Sequence, residues 1–219
     1  CAFMDHYDPK TVFSSIDSHG RYSFANQPPI TKWNLARFAE CLIPVIDKDQ
    51  DEAIKIATET INNFEKIYEV KWLNMMRDKL GLFGEDKNDK ILIEDLLNWM
   101  EKNKADYTNT FCNLMNIKTS NNEIYNNKDY INWTNKWQKR ILLNNSSKDK
   151  SLKLMKNSNP VVIPRNHKVE EALKEANENN LEVMNKLLSI LTKSYEDQKN
   201  IEDFQSPSNT KEYQTFCGT

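Results

Sequence analysis

Across residues 51–80 the apolar side chains Ile54, Ala57, Ile61, Phe64, Tyr68, Trp72, Met76 and Leu80 recur every three or four positions. That step matches the turn of an α-helix, and a stripe of this kind can be buried only along a helix face. Asp49 or Asp51 suits the start, because a short carboxylate accepts from the free N–H groups of a first turn. Gly81 suits the end, where the backbone turns left-handed. The same step returns in shorter runs. Residues 30–46 predict a helix with Trp33, Phe38, Leu42 and Ile46 on one stripe, bent or ended by Pro44. Residues 89–102 predict one capped by Asn88, with Leu92, Leu96, Leu97 and Met100 inward. Residues 105–115 turn Tyr107, Phe111 and Leu114 inward, and residues 129–143 do so with Tyr130, Trp133 or Thr134, Trp137 and Ile141. Shorter helices are expected at 151–156, 169–176 and 181–191.

Residues 116–128 and 144–150 are Asn- and Lys-rich and read as loops. No internal repeat and no sustained strand alternation occurs, so the fold class is mainly α. Two stretches depart from it. Residues 1–29 read as extended segments and turns. At Asn159-Pro160-Val161-Val162-Ile163-Pro164 two prolines bracket three β-branched residues and hold the backbone extended. The last 25 or so residues are polar and are expected to pack loosely. One structural domain in three regions results: a loop region at 1–29, a helical core at 30–143, and an extension and tail at 144–219.

Composition removes several function classes. The only glycines are Gly20, Gly81, Gly84 and Gly218, too scattered to cradle a phosphate. With 30 basic and 32 acidic residues the net charge is -2, which gives no bulk attraction to nucleic acid. No apolar run approaches the roughly 18 residues of a membrane span. Neither nucleic acid nor membrane is therefore an expected partner. Cys1, Cys41, Cys112 and Cys217 form no CxxC pair, so a zinc site is not expected. Cys41 and Cys112 fall in helical patterns and read as small core residues. Cys217, near the end of the chain, is a candidate redox thiol. Asp47-Lys48-Asp49-Gln50-Asp51 looks like the start of a calcium loop. The sixth and twelfth positions, however, are Glu52 and Thr58, where Gly and Glu are required. Helix capping accounts for these aspartates. His6, His19 and His167 are scattered, without HExxH spacing. Trp133 and Trp137 sit at helical spacing without a basic face, which reads as core and not as a stacking platform.

Two polar groupings remain. Arg165-Asn166-His167, directly after Pro164, reads as a cluster at a helix start that locks the extended strip to the body, with a phosphate contact as the alternative. Asp5, Tyr7, Asp8, Asp17, Arg21, Asn26 and Gln27 crowd into one short irregular stretch. Loops of this composition commonly host function; the alternative is a surface loop pinned by ion pairs. The chain also opens Cys-Ala-Phe-Met-Asp and enters this stretch at once. That opening predicts the C-terminal part of a longer polypeptide.

CAFMDHYDP, TVFSSID and GRYSFANQPPITKWNLARFAECLIPVI near the start closely resemble the selenoprotein O (YdiU) family. So do MRDKLGLFGED at 76–86, ADYTNTF at 105–111, NPVVIPRNHKVEEAL at 159–173, and Cys217 followed by two small residues. The resemblance implies a protein-kinase-like (pseudokinase) fold, of which this chain would be the helical C-lobe plus a C-terminal helical extension. It implies transfer of AMP from ATP, bound in a flipped orientation with Mg or Mn, to Ser, Thr or Tyr hydroxyls of proteins. The family's nucleotide Lys and Arg residues, its base Asp with the adjacent metal Asn, and the metal Asp of an Asp-Tyr-Gly motif all precede the position of Cys1. No catalytic, cofactor-binding or metal residue is therefore carried over to this chain, and tight ATP binding by it alone is not expected. The implied partners are the N-terminal part of the same protein and the protein substrates.

By kinase analogy, residues 2–28 would be activation-segment-like and residues 33–46 the central lobe helix. Asp5 and Tyr7 would lie near the active-site mouth; Arg21, Asn26 and Gln27 would brace the segment, and Asp17 belongs to the same candidate set. Some relatives pair the terminal Cys, or selenocysteine, with a Cys in this segment; here Phe13 stands there, which leaves Cys217 without that partner. Eukaryotic relatives tend to be mitochondrial and bacterial ones cytoplasmic. A catalytically empty helical scaffold derived from the family is the second reading.

Overall fold

The computed structural model describes residues 2–117, 119, 122–144 and 147–208. It is mainly helical. In chain order the helices are α1 (Gln27–Ile46), α2 (Gln50–Asn62), α3 (Phe64–Lys79), α4 (Asp89–Asn103) and α5 (Tyr107–Leu114). They continue with α6 (Lys128–Leu142), α7 (Lys148–Ser158), α8 (Asn166–Asn177), α9 (Glu182–Leu191) and α10 (Glu202–Gln205). Short 3-10 turns cover Phe24–Asn26 and Asn122–Asn126. Among the described residues the β pairing is a single antiparallel bridge between His6 and Asp106.

The core lies where α4 packs on α6 and α3 on α7. Met76, Leu80, Ile93, Leu96, Met100 and Phe111 are its fully buried centre. A column of rings runs along α6. Trp99 and Tyr130 lie 4.5 Å apart between centroids, and Trp133 and Trp137 stack at 6.1 Å with their planes within 7°. Each indole N–H finds a carbonyl: Trp133 donates to Leu92 at 2.8 Å and Trp137 to Leu80 at 2.9 Å. Both tryptophans are thus satisfied core residues. Asp49 caps α2, accepting from Asp51 and Glu52 at 2.9 and 3.3 Å, which is the capping role read from the sequence.

Four expectations change. The single helix over 51–80 is two helices divided at Asn63, whose N–H turns to the carbonyl of Thr60 and whose side-chain amide donates to Glu59 O. An Asn that bonds its own helix's carbonyls gives the backbone a local alternative to the regular ladder. Only the C-terminal end of the stripe is buried: Met76 and Leu80 are in the core, while Ile54 and Tyr68 are 45% and 40% exposed. Second, α1 starts at Gln27 with Pro28 and Pro29 in its first turn, and it runs two residues past Pro44. It buries none of its residues. It packs on α2, but Trp33 and Phe38 are exposed, by 48% and 60%, against the inward stripe expected. Third, Cys41 is exposed on this helix, whereas Cys112 is buried as read. Fourth, the final polar stretch is packed as far as Gln205. Ile201, Phe204 and Gln205 are buried, and Val161 of the extended strip donates to Ser194 O at 2.7 Å.

Gly81 closes α3 at φ +67°. A Cβ there would stand 2.8 Å from the Ser151 carbonyl and 2.9 Å from Met155 Cγ of α7. Gly81→Ala therefore meets both a left-handed backbone and a filled space. It is expected to lower stability by about 2–3 kcal/mol, read as a lower urea midpoint at unchanged slope.

Candidate functional site

The irregular opening segment is held against the body by one buried cation. Residues 5–7 run beside the start of α5: Tyr7 N–H donates to Ala105 O and Tyr107 N–H to Asp5 O, both at 2.9 Å. Asp106 caps α5, its Oδ1 accepting from Asn109 N at 2.7 Å. Arg165, at the start of α8, reaches across this junction. Its guanidinium donates to Asp5 Oδ1 and Asp106 Oδ2, both at 2.7 Å, to Asp106 Oδ1 at 3.1 Å, and to Gln205 O at 2.7 Å. The Arg165 side chain is 0% exposed, Asp106 7% and Asp5 17%. Burial works against the Arg165 charge, but the Asp106 and Asp5 carboxylates outweigh it and hold the guanidinium cationic. Burial pushes the Asp106 carboxyl up, against the pull of Arg165. Asn166 adds a second clamp, accepting from Phe3 N at 3.0 Å and donating to Phe3 O at 2.9 Å. The start of α8 thus locks the strip to the body, and it locks the opening segment there too.

The six candidates of the opening stretch do not form one constellation. Asp5 and Tyr7 sit at the Arg165 junction. Tyr7 stacks on Tyr107 at 5.8 Å and meets Phe24 edge-on at 6.0 Å. Burial, then the charges of Glu101 and Asp8, push its phenol up, so it stays protonated near neutrality. Asp17, Arg21 and Asn26 build a separate knot. Both Asp17 oxygens accept backbone N–H groups, from Arg21 and Tyr22 at 2.8 Å. Asn26 donates to Arg21 O, and the Arg21 guanidinium lies 4.7 Å over the Trp33 ring. Among the described residues no hydrogen bond or ion pair joins this knot to Asp5 or Tyr7. Gln27 lines a cavity of about 280 Å³ between the opening segment and the body, with Phe13, Phe24, Lys79, Tyr107 and Phe111. Cys217 lies outside the described residues. Among the described residues no group of three or more His, Cys, Asp or Glu side chains is placed to hold a metal ion.

Two features escape a reading of the sequence. The first is a second buried ion cluster. Asp89, 0% exposed, accepts from Arg140 Nε and Arg77 Nε, both at 2.7 Å. Arg140 also donates to the carbonyls of Phe83 and Gly84, and Asn144 accepts from Phe83 N and donates to Gly81 O. These contacts hold the 81–86 turn. The second is Lys79. It is buried, with Nζ 4.2 Å over the Phe111 ring and 5.4 Å over Tyr107. No ion pair reaches it among the described residues. A signal for it exists in the sequence, since it sits between Met76 and Leu80 on the buried stripe of α3.

Burial pulls the Lys79 ammonium down to about 8, with Cys112 weakly opposing. The unfolded side chain titrates near 10.5, so above about pH 8 the unfolded chain binds more protons and stability rises with pH. A gain of about 1 kcal/mol is expected from pH 7 to pH 9. Beyond that, ionisation of the unfolded Cys112 thiol, which burial pushes up to about 12 in the fold, reverses the trend. Urea midpoints against pH test this, and the rise should vanish in Lys79→Met.

Comparison with known proteins settles the family. The sequence model of "Protein adenylyltransferase SelO" matches residues 1–192. The chain belongs to the SelO family. It is 59% identical to a protein nucleotidyltransferase YdiU of Pelagibacter ubique over 221 aligned positions, covering 100% of this chain and 46% of that protein. It is 49% identical to the protein of the same name from Alkaliphilus metalliredigens and 47% identical to that from Nitrosococcus oceani, covering 100% of this chain and 45% of each. The chain thus spans a little under half the length of the curated relatives it matches. The SelO-like motifs supply the Arg165 junction and part of the Asp89 cluster. Asp5, Asp106 and Arg165 come one from each of three motif blocks, and Arg77 and Gly81 lie in a fourth. No helix among the described residues is long and apolar enough to cross a membrane.

Proposed function

We propose that this chain is the C-terminal portion of a protein adenylyltransferase that moves AMP from ATP to Ser, Thr or Tyr hydroxyls of proteins. The observation that carries this reading is the SelO match over residues 1–192, by a chain that spans under half of its relatives. In this reading the described helices form the C-lobe-like part of a kinase-like fold. Asp5 and Tyr7 stand near the active-site mouth. Arg21, Asn26 and Gln27 brace the segment with Asp17, and the Asp5–Asp106–Arg165 junction fixes its angle to the body.

The described residues offer no set of groups that fits ATP or a divalent metal. Among the described residues no carboxylate or histidine cluster is placed for a metal, and the cavity beside Lys79 offers one cation within aromatic walls, against a polyanionic triphosphate. In this reading the family's nucleotide and metal groups lie on polypeptide outside this chain. The α1 surface supports a larger assembly. A helix apolar around most of its girth normally packs inside a protein, yet α1 buries none of its residues in this chain. The three relatives named above are bacterial, and a cytoplasmic location is proposed with the family reading.

The test is incubation of the complete polypeptide, and separately of residues 1–219, with ATP labelled at its α-phosphate and Mg or Mn. Label is expected on protein with the complete polypeptide only. Labelling by residues 1–219 alone would overturn the placement of the site. No labelling by the complete polypeptide with either metal would leave the scaffold reading.

A further inference from the structure

The cavity beneath the opening segment holds a charge without a partner among the described residues. Arg77, Arg140 and Arg165 are buried too, and each faces at least one carboxylate within 2.7 Å. Lys79 faces none, and a buried charge is costly unless paired. Its nearest neighbours are the Phe111 and Tyr107 rings, whose faces attract a cation but supply no countercharge. The other titratable groups facing it, the Cys112 thiol and the Tyr107 phenol, are both pushed up by burial and are neutral near pH 7. Beside it, Asn159 donates to Lys79 O at 2.9 Å and leaves its own buried Oδ1 unpaired. The remaining walls are mostly apolar, from Phe3, Met4, Phe13, Phe24, Pro160 and Ile163, with Gln27 and Thr108 as uncharged polar groups.

These features select the occupant by charge and size. One ammonium answers one negative charge, and no second cation among the described residues lines the space. A phosphate dianion or a nucleotide would leave charge uncompensated against aromatic walls. A volume of about 280 Å³ takes an apolar body on the order of ten heavy atoms. We propose that this cavity binds a small monocarboxylate with an aromatic or branched aliphatic body, its carboxylate on Lys79 Nζ and its body between Phe13, Phe24 and Phe111. Such a ligand would tie the opening segment, through Phe13 and Phe24, to α3 and α5. The proposal does not depend on the adenylyltransferase reading.

The probe is 3-phenylpropionate, titrated calorimetrically into the complete polypeptide near pH 7, with neutral 3-phenylpropanamide as the control. Saturable binding is expected. It should weaken about tenfold to a hundredfold for the amide or for Lys79→Met, the range a charge-assisted hydrogen bond supplies. Affinity should also fall as pH rises through about 8, where free Lys79 loses its proton. A second readout uses the wild-type protein alone: the probe should slow acylation of Lys79 by acetic anhydride, followed by peptide mass. Absence of saturable binding overturns the proposal. So does equal binding of acid and amide, undiminished binding by a folded Lys79→Met variant, or acylation of Lys79 that the probe leaves unchanged.

Discussion

Arg165→Met is expected to destabilise the fold by about 3–5 kcal/mol, the usual effect of leaving a buried charge without its partner. Met nearly keeps the volume, so the loss is electrostatic and not a cavity. Asp106 would stay buried with its cation gone, and Asp5 would lose a 2.7 Å contact. Gln205 O and Asn109 Oδ1 would each lose a donor as well. Because the guanidinium joins positions 5, 106, 109 and 205, the damage should be both global and local. The urea midpoint should fall, and the opening segment should exchange its amide hydrogens faster than α4 and α6 under mild conditions. A variant with wild-type stability would show that the junction is not a brace. The double variant Arg165→Met/Asp106→Asn should recover part of the loss, since it removes the stranded carboxylate.

Asp89→Asn is expected to cost a similar amount, about 3–5 kcal/mol. Here two cations lose one anion. Arg140 and Arg77 each donate to Asp89 from less than 3 Å; among the described residues Arg77 would keep the neutral Asn74 Oδ1 at 2.9 Å and one carboxylate, the largely exposed Glu85, at 3.4 Å. The neutral amide must also turn an N–H₂ toward one of two guanidinium donors. The same site makes an acid prediction. Burial opposes ionisation of Asp89, but hydrogen bonds from Arg140, the Asp86 N–H and Arg77 outweigh it and hold the carboxyl below its ordinary 3.8. A depressed folded value means that the unfolded chain binds the extra proton. The stabilisation is therefore complete above about pH 4 and is lost as the pH falls below the ordinary aspartate range. Wild type should show this acid-side loss in its urea midpoints, and Asp89→Asn should show less of it.

Much of the local structure is legible in the sequence because helix period and caps are local properties. The α4, α5 and α6 stripes, the Asp49 cap, the core role of Trp133 and Trp137 and the extended strip between Pro160 and Pro164 all follow from neighbours a few residues apart. The break at Asn63 is not legible, because an apolar step of three or four continues through it unchanged. The exposure of α1 is hidden for a different reason. Its apolar residues predict a buried stripe, but whether a stripe is buried depends on what packs against it, and in this chain α2 covers only part.

The candidate site divides the same way. The motif blocks alone are enough to connect this chain to the SelO family, because they are runs of matching residue types in order. That a guanidinium at 165 would neutralise carboxylates at 5 and 106 is a statement about separations of 160 and 59 residues, which no local pattern encodes. Lys79 is the sharper case. By itself the sequence determined only that it stands between Met76 and Leu80, at the end of an apolar stripe. Only the tertiary structure decided that the rings of Tyr107 and Phe111 would meet it there with no carboxylate of the described residues paired to it, because pairing of a buried charge is settled by packing between elements and not by position along a helix.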